Sequence, residues 1–149
     1  MTQNNFPFPS DGKRYYTWNR YLRNEFGKKV YKVALDAGFD CPNRDGTVAF
    51  GGCTFCSAAG SGDFAGNKVD PIPVQFEKIK TKMESKWKDG LTMAYFQAYT
   101  NTHAPLEVLK EKFEAALACE GVMGLSIATR PDCLPDDVVE YLAELNERT

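Results

Sequence analysis

The chain has 149 residues, 43% of them hydrophobic, and a formal net charge of −2. That composition suits one soluble globular domain with a core of its own. No apolar run approaches the length of about eighteen residues that a membrane span needs. The start, Met1–Tyr16, lacks the basic-then-apolar pattern of a secretory leader, so a cytoplasmic protein with no membrane partner is expected.

Charge is uneven along the chain. Residues 1–32 carry seven Lys/Arg against Asp11 and Glu25, a net of +5, and the remainder is net −7. A basic stretch rich in aromatics can contact RNA; its plainer reading is a solvated helix face. Within it, 14–27 (RYYTWNRYLRNEFG) has helical spacing, with Tyr15, Trp18, Leu22 and Phe26 on one stripe and Gly27 placed to end the helix. Residues 1–28 thus read as a basic, aromatic helical extension, and 29–149 as the core domain.

The core begins with a strand centred on Val30–Leu35, followed by a long cysteine-bearing loop, 36–70. A helix at 73–90 follows, with Phe76, Ile79, Met83 and Trp87 on one face. LTMAYFQAYT (91–100) opens as a nearly continuous apolar strand. The next helix, 105–121, has Pro105 suited to its first turn and Leu106, Leu109, Phe113 and Leu117 facing inward. VMGLSIAT (122–129) is a third strand. The last helix, 135–147, places two aspartates at its positive end, with Val138, Val139, Leu142 and Leu145 inward. The order β-α-β-α-β-α, with strands two and three apolar rather than alternating, predicts an α/β fold on a parallel sheet of about three βα units after a short helix. In such folds the loops leaving the C-terminal strand ends gather on one face. Here these are 36–70, 97–104 and 129–134.

The first of those loops holds three of the five cysteines: Cys41, Cys53 and Cys56, spaced C-x11-C-x2-C. An odd count in a reducing compartment argues against disulfides. Thiolates are soft ligands for zinc or iron–sulfur clusters. The close pair, Cys53 and Cys56, can bite one centre, with Gly51 and Gly52 bending the chain before it. A structural zinc site wants four ligands. His103, Cys119 and Cys133 are the candidates for the fourth, and Cys119 reads better as helix packing. Three cysteines without a fourth suit a 4Fe–4S cluster with one iron left open.

Four stretches carry a resemblance: NRYLRNEFGKKVYKVALDAGFDCPNRDGT, GGCTFCSAAGSGDFA, YFQAYTNTHAP and LSIATRPDCLP. They resemble the N-terminal half of a radical S-adenosylmethionine (radical SAM) protein. More narrowly, the chain is similar to a group of uncharacterised bacterial proteins related to the catalytic subunit of Elongator. The commonest spacing in that superfamily is C-x3-C-x2-C, and the longer first gap departs from it. The resemblance implies a partial (β/α)6 TIM-like barrel, of which 29–149 is an incomplete core lacking the C-terminal half. It implies that Cys41, Cys53 and Cys56 hold the cluster, and that S-adenosylmethionine chelates the open iron and yields a 5′-deoxyadenosyl radical. It places Phe55 near the adenine and the strand end Gln97-Ala98-Tyr99-Thr100 near the methionine, where the superfamily has Gly-Gly-Glu. Ser126, Thr129 and Arg130 are candidates for the carboxylate or ribose. An electron donor of flavodoxin or ferredoxin type is the implied partner. RNA, including tRNA, is the substrate class that the analogy suggests. The alternative is a non-catalytic Fe–S or zinc module that contacts RNA through the basic N-terminus. A half-barrel is expected to be marginally stable, aggregation-prone or dimeric on its own.

Overall fold

The computed structural model describes residues 13–148. The first twelve residues of the expected N-terminal extension lie outside them. Four helices and three strands follow in the order α1 (Trp18–Phe26), β1 (Val30–Leu35), α2 (Ile72–Glu84), β2 (Leu91–Phe96), α3 (Leu106–Leu117), β3 (Val122–Ile127) and α4 (Asp136–Arg148), with a short 3-10 turn at Pro131–Cys133. The fold is α/β, as the alternation predicts.

The three strands form one parallel sheet in the order β1-β2-β3. Val30 to Leu35 pair in step with Leu91 to Phe96. The β2–β3 register slips by one between Thr92↔Val122 and Ala94↔Leu125. One extra residue therefore fits on β3 around Gly124.

One face of the sheet carries the core. Tyr31, Val33, Leu35, Ala94 and Phe96 pack against Ile72 and Phe76 of α2, Leu109 and Phe113 of α3, and Val138, Tyr141 and Leu145 of α4. The Phe96 and Phe113 rings lie 5.0 Å apart at its centre. On the opposite face, Leu22 of α1 packs on Val30 and Met93.

Some sequence expectations fail in packing. Thr17 caps α1 and Gly27 ends it in the left-handed conformation, as its φ of +67° requires. Yet Leu22 is the only buried residue of that helix, and its stripe partners Tyr15, Trp18 and Phe26 are exposed. Trp87 lies beyond the end of α2: the Ser85 hydroxyl bonds back to the Lys82 carbonyl and the chain leaves the helix there. Its ring packs 5.7 Å from Tyr31 instead. Val139 faces solvent and Tyr141 takes the inward place expected for it. Cys119 falls just past α3, where its thiol bonds the Ala115 carbonyl and packs against the core.

Candidate functional site

Because the strands are parallel, Leu35, Phe96 and Ile127 end on the same side, and the loops after them meet there. The long loop is built of tight turns. Gly46, Gly51 and Gly52 all have φ between +80° and +91°, a region that side chains disfavour. Arg44 and Asp45 donate backbone bonds to the Cys41 carbonyl, and Cys56 donates to that of Cys53. The C-x2-C pair is thus a closed turn.

A cavity of about 400 Å³ opens between the three loops. Cys41, Cys53, Cys56, Phe55, Gln97, Tyr99, Thr100 and Arg130, all singled out in the sequence, line it. All five cysteines are free thiols. Among the described residues, no three His, Cys, Asp or Glu side chains form a group that could hold a metal ion as they stand. The three loop thiols share the lining of this one cavity.

The electrostatics are uneven around this space. Partial burial raises the Cys41 thiol, but hydrogen bonds from the Thr100 side chain, the Asn43 backbone and Arg130 outweigh it and leave the thiol more acidic than usual. The Arg130 guanidinium reaches the Cys41 sulfur at 3.9 Å while gripping both oxygens of Asp132 at 2.9 and 2.6 Å. TRPD is therefore both an internal ion pair and a wall of the cavity. Asn43 donates to the Cys53 sulfur at 3.1 Å. Arg44 lies over the Tyr99 ring at 4.9 Å.

Gln97 and Tyr99 differ from expectation in what their polar atoms do. The Gln97 amide donates to the Ser61 carbonyl at 2.7 Å, and the Tyr99 hydroxyl to the Ala58 carbonyl at 2.7 Å. Both side chains hold the loop against β2. Tyr99 does so at φ +60°, and a Cβ at Gly60 would overlap its ring. Strain of this kind persists only where surroundings enforce it.

The remaining candidates are placed less directly. Ala98 is buried and packs under Gly62. Ser126 sits in β3 beside Tyr95 and does not line the cavity. The Thr129 hydroxyl pairs with that of Thr102. His103 bonds Asp45 at 2.6 Å and so ties the cysteine loop to the loop after β2. Cys133 lines a separate hollow of about 640 Å³ and is buried, which pushes its thiol up. Sequence reading missed Asn43, Arg44 and Tyr95. The period-2 alternation of β2 was the available signal for Tyr95, which shares a face with Met93 and Gln97.

No family model matches the chain, and no solved structure matches it. It is 71% identical over 150 residues to "Uncharacterized protein YtqA" of Bacillus subtilis, covering all of this chain and 47% of that protein. It is 39% identical over 127 residues to "Protein YhcC" of Escherichia coli, covering 85% of this chain and 40% of the relative. To "Uncharacterized protein MJ0486" of Methanocaldococcus jannaschii it is 37% identical over 140 residues, covering 93% and 42%. The chain spans less than half the length of these relatives.

Proposed function

We propose that this chain carries the cluster- and cofactor-binding part of a radical SAM enzyme that acts on RNA, built as half of a (β/α)6 barrel. The observation that carries the reading is the grouping of Cys41, Cys53 and Cys56 around one cavity at the C-terminal end of a parallel sheet. A 4Fe–4S cluster takes one thiolate per iron, so its ligands encircle a volume. Three soft donors around about 400 Å³ fit that requirement better than they fit a closed zinc site.

Cys41, Cys53 and Cys56 would hold the cluster, which would supply single-electron chemistry toward the S-adenosylmethionine sulfonium, with the electron drawn from a flavodoxin- or ferredoxin-like donor. The protein's own groups do the rest. Arg130 offsets negative charge at Cys41, and Asn43 donates to Cys53. Gln97 and Tyr99 fix the loop and Thr100 bonds Cys41, which leaves Arg44 and backbone groups among the polar atoms facing a cofactor. Phe55, 85% exposed at the mouth, offers a ring for an adenine to stack on.

RNA as substrate class is supported by α1. Trp18 and Tyr21 stack at 5.1 Å on its exposed side, within the basic segment that holds Arg20 and Arg23. Exposed rings among cations suit unpaired bases. The same surface favours the second reading, an RNA-contacting Fe–S module without catalysis.

Anaerobic reconstitution with iron and sulfide tests the first step. Each single Cys41, Cys53 or Cys56→Ala variant is expected to lose the bound iron and its visible absorption. A triple variant that reconstitutes like the parent overturns the assignment. S-adenosylmethionine should then perturb the EPR signal of the reduced cluster and be cleaved under a strong reductant. A cluster whose signal ignores the cofactor, in a protein that still binds RNA, favours the non-catalytic module.

A further inference from the structure

The three strands contain a single charged side chain, Lys32. Tyr31, Val33 and Leu35 turn toward the helices, so alternation puts Lys32 on the opposite face with Val30 and Ala34. That face is apolar at its lower end, where Leu22 covers Val30 and Met93. Its upper end is polar. Ala34, Tyr95 and Ser126 are register partners across the sheet, and the Lys32 ammonium lies 4.1 Å from the Tyr95 ring centre. Tyr95 also lines the cysteine cavity, so the patch and the cavity are continuous.

Lysine is disfavoured in strands, and a sheet face meant only for packing would carry Val, Ile or Thr there. Lys32 is exposed, and among the described residues no carboxylate pairs with it. The Tyr95 ring steadies the cation from one side and leaves its N–H donors directed elsewhere. Ser126, the register partner of Tyr95 on β3, lies on the same face one strand beyond the ring.

We propose that Lys32, backed by Tyr95, forms a subsite for an oxyanion of the substrate, a phosphate or a carboxylate. This rests on the enzyme reading for the word substrate; the anion site itself does not. It lays the reacting molecule over the part of this face that α1 leaves open, with its charged end on Lys32 and its reactive end toward the cavity. A point-charge ammonium suits either anion.

Amine footprinting tests it on the unmodified protein, without a cluster and without turnover. The protein is acetylated with an N-hydroxysuccinimide ester, and the rate at each lysine is read by mass spectrometry. Inorganic phosphate or acetate is the probe, and sodium chloride at equal ionic strength is the control. Acetylation of Lys32 is expected to slow about threefold when the probe reaches about twice its dissociation constant, while exposed Lys68 and Lys88 stay at the control rate. Stronger protection by phosphate assigns a phosphate ester, and stronger protection by acetate a carboxylate. Tyr95→Leu should weaken the protection. Equal rates at Lys32 in probe and chloride overturn the subsite. If iron and S-adenosylmethionine bind while Lys32 stays unprotected, only the subsite falls. If Lys32 is protected while no iron binds, the enzyme reading falls and the anion site stands.

Discussion

Gln75 shows how one uncharged side chain can hold the proposed site together. It is 1% exposed in the first turn of α2. Its carboxamide accepts from the Asp36 N–H at 2.9 Å and donates to the Asp36 and Asp70 carbonyls at 2.8 and 2.9 Å. Those two residues bracket the cysteine loop, so one amide clamps both ends of it. Gly66 has no side chain where Gln75 passes, and a Cβ there would overlap it. Gln75→Met keeps the volume and strands three backbone groups, at a cost of about 1–3 kcal/mol. A lower melting temperature and faster proteolytic nicking within 36–70 are the expected results. An unchanged melt and digest would mean that Gln97, Tyr99 and the His103–Asp45 pair hold the loop without it. The cysteines were legible in the sequence because their chemistry is carried by residue type and spacing. Gln75 was not, because its partner Asp36 lies 39 residues away and a lone polar residue between Val74 and Phe76 carries no periodic signal. Gln97 and Tyr99 were legible in place, at a strand end, but not in the partners of their polar atoms.

At the level of elements, strand and helix order followed from apolar runs and helical spacing, while helix faces were harder to read. Val138, Val139, Leu142 and Leu145 suggested one stripe for α4, yet Tyr141 displaces Val139 from the core. A tyrosine can bury its ring and keep its hydroxyl at the margin, which hydrophobic periodicity undervalues. Here the hydroxyl reaches Glu114 of α3 at 3.4 Å, and Arg148 closes the group on the same carboxylate. Burial first, and the Glu114 charge second, raise the phenol to about 12. The folded chain therefore holds this proton more tightly than the unfolded chain, whose tyrosines titrate near about 10. The resulting stability is complete below about pH 10 and is lost as pH rises through about 12. Tyr141→Phe cannot ionise, so urea midpoints should fall less steeply over that window than in the parent. Tyr31, also raised by burial, leaves a residual slope. Parallel slopes for variant and parent would show that the Tyr141 phenol does not couple to unfolding.

For the whole molecule, the lopsided sheet is the dominant physical fact. Parallel sheets are ordinarily covered on both faces, but here three helices cover one and only Leu22 of α1 is buried on the other. Every residue of β3 is half-buried, and among the described residues the strand pairs only with β2. Beside it runs a hollow of about 340 Å³ lined by Phe26, Met93, Met123, Ile127 and Leu142. The open edge was legible in the sequence, since three βα units leave a terminal strand without a partner; the one-sided cover was not, since an apolar strand does not show which face the helices take. An open edge strand next to apolar surface templates pairing with another chain. Residues 1–149 expressed alone should therefore self-associate, with a light-scattering mass that rises with concentration in size-exclusion runs. Met123 lies on the sparsely covered face of that edge strand, so Met123→Lys places a charge where association would bury it. The variant should shift the population toward monomer while leaving the helix-covered core untouched. If the parent instead runs as a monodisperse monomer at every concentration and melts cooperatively, the β3 edge is already satisfied within one chain.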